Sequence, residues 1–240
     1  MLLCIDCGNT RIKWGLHDGS HWLVQAALGL NELDHLAREL AGQPRPSSVV
    51  ACNVASKATA AALEMIVNKL GLSLVWAKSC AVQCGVVNSY DQPTQLGADR
   101  WAALIGAKQV HGGACLVVNA GTATTVDVLD DNGVFQGGLI LPGVDLMRSA
   151  LASDTAGLPL AAGRFSLLPR NTADAIVSGS LLATVGAITR MFEHVAAMPG
   201  AKCLLSGGAA GFLEPLLNMP LCRINNLVLE GLACIVVQAA

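Results

Sequence analysis

Apolar and polar positions alternate along residues 2–7 and again along 11–17, with a glycine turn between them, and the same pattern runs through 21–26. Short spacing and glycine turns predict a three-stranded meander. Residues 31–40 switch to helical spacing, with Asn31 in the N-cap position. After the loop GQPRPSS come a buried strand at 48–53, a helix at 57–70 ended by Gly71, and a strand at 72–77. Residues 85–95 are rich in turn formers and predict irregular structure. A helix follows at 99–110, with Trp101, Leu104, Ile105 and Ala107 on its apolar side.

The pattern then restarts. Residues 115–119 read as a strand, AGTAT as a turn, 125–129 as a strand, DDNG as a hairpin turn and 134–141 as a strand. Helical patterns cover 144–151, 172–195, 211–217 (after a strand at 202–205) and 227–237. The stretch IDCGNTRIKWGL matches VNAGTATTVDVL element for element: strand, acid or amide, small residue, glycine, threonine, returning strand. Such an internal repeat predicts two similar α/β halves, 1–111 and 112–240, facing each other across a cleft with the two turns pointing into it.

Composition sharpens this picture. The 240 residues are 53% hydrophobic and only 13% charged, which predicts extra apolar burial in an oligomer. The apolar runs at 139–141 and 227–237 are interrupted or too short for a bilayer, and no basic segment precedes the N-terminal apolar run, so neither a membrane span nor a secretory signal is expected. A net charge of −2 without a basic run gives nucleic-acid binding no electrostatic support. The nine cysteines lie mostly in apolar runs, where Cys behaves as a small hydrophobe. Cys4 and Cys7 form a CxxC with neither a second pair nor a helix start behind it, so packing outweighs metal or redox chemistry. A reduced, cytoplasmic protein is the expectation.

Candidate chemistry gathers in four places. Asp6 ends a strand and is followed by Gly8, Asn9, Thr10 and Lys13. A turn without a Cβ lets backbone approach a ligand, and Asn9, Thr10, the turn amides and Lys13 suit an anion. A carboxylate beside them makes sense when Mg²⁺ accompanies a phosphate, because Mg²⁺ is held by one or two carboxylates plus phosphate oxygens. Gly121-Thr122 forms the matching second turn. The stretch LLSGGAAGF carries Ser206, Gly207 and Gly208 into a helix, backbone bare enough for a flat ring or a ribose. In LGADRWAALIGA, Asp99 and Arg100 open an apolar helix. Asp99 reads either as a cap favoured by the helix dipole or as a carboxylate that orients a hydroxyl and accepts its proton. No GxxxxGK[ST] and no strand-linked GxGxxG occurs, which excludes the usual P-loop and dinucleotide motifs.

Together, DCGNTRIKW, GADRW, NAGTATTVD and SGG, with GGLILPGVDLMRSAL and NTADAIVSG, resemble the bacterial type III pantothenate kinases along essentially the whole chain. The resemblance implies the acetate and sugar kinase, heat-shock chaperone and actin fold, built from two ribonuclease-H-like halves. It implies ATP-dependent phosphorylation of pantothenate to 4′-phosphopantothenate, the first step of coenzyme A biosynthesis. It further implies that Asp6, Cys7, Gly8, Asn9, Thr10, Arg11, Ile12 and Lys13 form a first phosphate loop, with Asp6 holding the Mg²⁺ of ATP. Thr122 would contact ATP from the second loop, with Gly207 and Gly208 at the adenosine. Tyr90, Gly97, Ala98, Asp99 and Arg100 would bind pantothenate, with Asp99 as general base. Thr172 would reach pantothenate from the partner subunit of a homodimer, and the long helix after it would be dimer surface.

One position departs from the family pattern. Asn119 stands where the family carries an aspartate that helps to hold a monovalent cation, K⁺ or NH₄⁺, so a weakened or altered cation site is expected. Two other functions stay open at this point: a non-catalytic accessory or regulatory relative, and a kinase of the same fold for another small substrate. Retention of Asp6, Lys13, Asp99, Arg100 and Thr122 speaks against the first, and the GADR motif and Tyr90 against the second.

Overall fold

The computed structural model describes residues 1–155, 157–158 and 162–237. The chain divides into two compact units, Met1–Gly112 with Asn226–Ala240, and Gly113–Asn225.

The first unit begins with β1 (Leu2–Cys7), β2 (Arg11–His17) and β3 (Trp22–Gly29), then a 3-10 turn (Leu30–His35) leading into α1 (Leu36–Ala41). β4 (Ser48–Asn53), α2 (Lys57–Lys69) and β5 (Leu74–Trp76) follow, then β6 (Val82–Gln83), β7 (Val86–Asn88) and α3 (Ala98–His111). Five strands form a sheet in the order β3-β2-β1-β4-β5. β1 runs antiparallel to β2 and parallel to β4. Alternate side chains leave a strand on opposite faces. The odd positions of β1, Leu3, Ile5 and Cys7, pack with Ile12 and Trp14 of β2 and with Leu63 and Val67 of α2 in one core cluster. The even positions, Cys4 and Asp6, face the other way.

In the second unit, β8 (Cys115–Ala120), β9 (Ala123–Leu129) and β10 (Val134–Pro142) repeat the meander, and α4 (Val144–Asp154), α5 (Thr172–Phe192), β11 (Lys202–Ser206), α6 (Ala210–Leu213) and β12 (Leu221–Arg223) complete it. The strand order β10-β9-β8-β11-β12, with β8 antiparallel to β9 and parallel to β11, duplicates that of the first unit. The internal repeat read from two short motifs is therefore a repeat of whole sheets, as the ribonuclease-H-like expectation requires.

The last helix, α7 (Leu227–Val237), agrees with the expected boundaries but belongs to the first unit, whereas the sequence division assigned it to the second half. The reason is its composition: LVLEGLACIVV is apolar nearly all round and needs cover on two sides. It lies against α3 and against β1 and β4. Two glycines allow the helices to touch backbone to backbone. A Cβ on Gly231 would stand 1.7 Å from the Ala102 carbonyl oxygen, and one on Gly106 would stand 2.2 Å from that of Leu227. The Trp22 indole N–H donates to Glu230 Oε1 at 2.8 Å, tying β3 to α7.

Other departures have local causes. Residues 31–40 split into a 3-10 turn and a short α-helix because Gly29, not Asn31, caps the start, donating its N–H to Glu32 Oε2 at 2.8 Å. Residues 82–88, partly expected to be irregular, form a hairpin whose two turn residues, Cys84 (φ 52°) and Gly85 (φ 73°), are both left-handed. α5 stops at Phe192 rather than Val195. By length and composition α5 is also the one described helix apolar enough to cross a membrane, a length that Gly179, Ser180, Thr184 and Gly186 disguise in the sequence. Its window is 33% buried, with Leu181, Ile188 and Phe192 in the core of the second unit.

The contact between α3 and α7 predicts that Gly231→Ala is strongly destabilising. The added methyl meets backbone rather than a side chain that can swing away, so the cost falls at or above the usual overpacking range of about 1–3 kcal/mol. Urea denaturation of the variant beside the parent measures it, and an unchanged midpoint would show that the helices can separate freely.

Candidate functional site

In the first unit, strand register sets one row of side chains. Asp6 on β1 stands opposite Lys13 on β2 and Cys52 on β4. Residues directly opposite one another share a face of the sheet. The row therefore reads Lys13, Asp6, Cys52, on the face away from α2. Past it the chain reverses in a tight turn closed by the Gly8 N–H donating to the Arg11 carbonyl at 3.1 Å. Asn9, Thr10 and Arg11 are exposed on that turn. Cys7 and Ile12, which flank the loop in the sequence, are core residues with no exposed surface, so they present nothing to a ligand in this structure.

Asp6 is 6% exposed, and the Cys52 thiol donates to its Oδ1 at 3.4 Å. Burial pushes its carboxyl up from an ordinary 3.8 to about 6; Lys13 opposes the rise, the charge of Asp99 adds to it, and the Cys52 thiol also opposes it. A carboxylate so desolvated favours either a proton or a cation. Burial also pushes the Cys52 thiol well above its usual range, helped by the charges of Asp6 and Asp99, so it stays a neutral donor.

Asp99 comes to Asp6 from the start of α3. Gly97 is the N-cap of that helix and offers no side-chain cap. Asp99 is thus not the cap residue; its Oδ1 accepts from the N–H of Arg100 at 2.8 Å. That carboxylate position requires glycine at 97, where a Cβ would stand 2.6 Å from Asp99 Oδ1. Arg100 is buried at 5% exposure, donates through Nη1 to the Tyr90 hydroxyl at 2.9 Å, and lies 5.7 Å from the Tyr90 ring centre. Tyr90 is held in turn by its N–H to Asn88 Oδ1 at 3.1 Å, and Asn88 donates to the carbonyls of Cys80 and Pro93. Tyr90 and Arg100 thus form one unit with Asp99 beside them, which spacing alone does not reveal.

In the second unit the equivalent row is neutral. Asn119 on β8 faces Thr125 on β9 and Ser206 on β11. The following turn is closed by the Gly121 N–H to the Ala123 carbonyl at 3.1 Å, with Gly121 and Thr122 exposed. Gly207 adopts φ +103°, and a Cβ there would stand 2.4 Å from the Ala120 carbonyl oxygen, which also accepts from the Ala209 N–H at 3.0 Å. The SGG segment is therefore packed onto the strand that carries the second turn, with Gly208 open beside it. Sequence reasoning missed Gly143, whose N–H donates to the Thr122 carbonyl at 2.8 Å and whose absent Cβ would stand 2.1 Å from the Gly121 oxygen. The LPG preceding a helix was its only signal. Thr172 is exposed in the first turn of α5, where Asn171 caps the helix by accepting from the Asp174 N–H at 2.9 Å.

The cysteines of the CxxC are buried on opposite faces of β1, Cys7 in the core beneath α2 and Cys4 beside Glu230 and Cys234, so they share no site. Among the described residues no His, Cys, Asp or Glu cluster could hold a metal by itself. Asp6 alone nevertheless fits a cation that brings phosphate ligands with it: it is a buried carboxylate with one weak donor, beside a loop of exposed amides and hydroxyls.

Comparison with known proteins agrees with this chemistry. Residues 2–194 match the family model of the type III pantothenate kinases. A curated type III pantothenate kinase from Aromatoleum aromaticum is 56% identical over 235 residues, covering 98% of this chain and 97% of that protein. Among solved structures, a conserved protein assigned to the Baf family of transcriptional activators, from Campylobacter jejuni, superposes with a TM-score of 0.66 at 20% identity, covering 99% of this chain and 98% of its own. The ethanolamine utilization protein EutJ from Carboxydothermus hydrogenoformans does so with a TM-score of 0.58 at 13% identity, over 97% and 89%. Identities this low speak to the fold alone. The match to the family model and the identity to the curated kinase decide the rest: the chain belongs to the type III pantothenate kinases, which phosphorylate pantothenate with ATP in the biosynthesis of coenzyme A.

Proposed function

We propose that Asp6 and Asp99 divide the chemistry of this pantothenate kinase. The observation that carries the reading is the buried Asp6 carboxylate beside a turn of exposed donors, with the charge of Asp99 at the start of α3 acting on it. In this reading Asp99 accepts a hydrogen bond from the pantothenate hydroxyl and takes its proton as the oxygen bonds to the γ-phosphorus of ATP and the bond to ADP breaks. Gly97 and Ala98 leave the approach to Asp99 open, and the Tyr90–Arg100 pair orients the rest of pantothenate. Asp6 holds the divalent cation that enters with ATP, whose chemistry is to neutralise charge on the phosphates. The amides of Gly8, Asn9, Thr10 and Arg11 and the side chains of the last three, with the Lys13 ammonium, donate to phosphate oxygens, while Cys7 and Ile12 anchor the two ends of the loop in the core. Thr122 takes the corresponding part on the second turn, and Gly207 and Gly208 lie against the adenosine.

Asn119 stands for a neutral cation site. An amide keeps a carbonyl oxygen but lacks the charge that attracts K⁺, and its neighbours Thr125 and Ser206 are neutral as well. A homodimer is the proposed assembly. Only a third of the apolar window of α5 is fully buried, Leu182 on that helix is 40% exposed, and Leu167 and Leu168 just before it are 75% and 85% exposed. Thr172 opens the same helix, so a partner seated there would meet it.

Paired substitutions separate the two acids. Asp99→Asn is expected to lower kcat by about two to four orders of magnitude, the usual loss for a general base, with a much smaller change in pantothenate affinity. A rate within a few-fold of the parent would return Asp99 to a structural role. Asp6→Asn is expected to abolish use of MgATP and yet to stabilise the protein. Because the folded carboxyl titrates near 6 and the unfolded one near 3.8, the folded state holds its proton more tightly. Ionisation thus costs nothing below about pH 4, and the penalty grows as pH rises through 6, to at most about 3 kcal/mol. The stability gain of Asp6→Asn should follow that window in nucleotide-free thermal melts; no gain at pH 7.5 would contradict it.

For the cation site, initial rates against K⁺ are expected to show a mild dependence with a high half-saturating concentration, and Asn119→Asp to tighten it. Saturation at low K⁺ together with near-zero activity without it, in the unsubstituted protein, would refute the reading. For the assembly, light scattering at assay concentration is expected to give twice the chain mass, and an active monomer would overturn it.

A further inference from the structure

We infer that Cys52 is a positioning residue for Asp6, its thiol holding the carboxylate in the orientation that receives the divalent cation arriving with the nucleotide. The inference rests on the reading of Asp6 above. It starts from register: parallel pairing of β1 with β4 sets Asp6 directly opposite Cys52, and the thiol lies 3.4 Å from Asp6 Oδ1. Cys52 has no exposed surface, so water does not compete for this contact. Among the described residues this thiol is the one hydrogen-bond donor to the Asp6 side chain. Lys13, opposite on β2, acts on Asp6 by charge at a distance. A point charge lowers the energy of the anion but does not choose which oxygen turns towards a ligand. A directional donor does, and outer partners of this kind orient the groups that hold metals.

The duplicated unit gives an internal comparison. Ser206 occupies on β11 the place that Cys52 occupies on β4, opposite Asn119. Its hydroxyl donates not to Asn119 but to the Asn225 carbonyl, at 3.4 Å. Both sheets thus carry a small X–H donor at this register position. It is turned to the strand-end side chain only in the unit where that side chain is a carboxylate. If Cys52 were merely a small apolar filler, its loss would be felt in packing and would not track the hydrogen bond.

The test is calorimetric titration of ATP with Mg²⁺, and of ATP in EDTA, into the parent, Cys52→Ala, Cys52→Val and Cys52→Ser, with kcat and both KM values alongside. Loss of an outer partner typically weakens metal binding about 10- to 100-fold. A thiol is a weak donor, so Cys52→Ala and Cys52→Val are expected to weaken MgATP binding by about three- to ten-fold. Binding of ATP without metal and the KM for pantothenate should hold. Cys52→Ser, which restores a donor, should stay near the parent. Cys52→Val keeps the volume without the donor, so the comparison with Cys52→Ser survives if Cys52→Ala does not fold. Parent-like MgATP affinity in Cys52→Ala or Cys52→Val would overturn the inference, as would an equal loss in Cys52→Ser. Asp6→Asn separates this from the reading beneath it. If that variant weakens MgATP while the cysteine variants do not, only the role of Cys52 fails; if Asp6→Asn binds MgATP normally, Asp6 does not hold the cation at all.

Discussion

A carboxylate buried without a full counter-charge is the constraint around which the first unit is built. Asp6, next to the last residue of β1, lies on the face opposite the α2 core, and the strands on either side give it one ammonium by register and one thiol by contact. These do not compensate its desolvation, and its proton affinity stays high. Natural folds tolerate such a group where a ligand completes it. The surrounding features follow from that need. The chain must turn at once after the strand, which Gly8 allows. The turn must expose donors rather than bury them, which Asn9 and Thr10 do. A second carboxylate must approach without capping the helix that carries it, which Gly97 permits by taking the cap position itself.

The two units show how a duplicated sheet can be given unequal chemistry. The backbone plan is the same, down to the parallel partner strand beside the first strand of each meander. The row Lys13, Asp6, Cys52 is charged, whereas Thr125, Asn119, Ser206 is neutral. A neutral row carries no desolvated charge. The second turn is instead held by backbone: Gly143 and Gly207 each bring main chain so close that a Cβ would collide. One turn is governed by charge and the other by close backbone contact.

Most of this architecture was legible in the chain because period-two strands and glycine turns are local signals. The two meanders, β4, α2, α3 and the bounds of α7 all follow from spacing. What was not legible is what depends on a partner distant in sequence. Nothing local distinguishes an apolar final helix that closes its own half from one that packs on α3. Tyr90 and Arg100 were each named, but their hydrogen bond depends on the hairpin at 82–88, whose left-handed Cys84 carries no turn signal of the usual asparagine type. Cys52, a cysteine in an apolar strand, reads as packing until register sets it against an acid. For Cys7 and Ile12, motif membership points to the ligand, while strand parity sends both side chains into the core.

The same parity explains why the remote contact between α3 and α7 bears on the site. The even face of β1 carries Cys4 and Asp6; α7 covers Cys4, and the start of α3 brings Asp99 towards Asp6. The relation of Asp99 to Asp6 therefore depends on how far α3 slides along its neighbours. Side-chain packing between helices leaves some freedom, because rotamers readjust. Backbone packing does not. With Gly231 lying on the Ala102 carbonyl and Gly106 on that of Leu227, the axial position of α3 is set by main-chain atoms that have no alternative rotamer. Asp99 is the second residue of that helix, so Gly106 within α3 and Gly231 facing it from α7 act as the stop that sets the spacing of the two carboxylates.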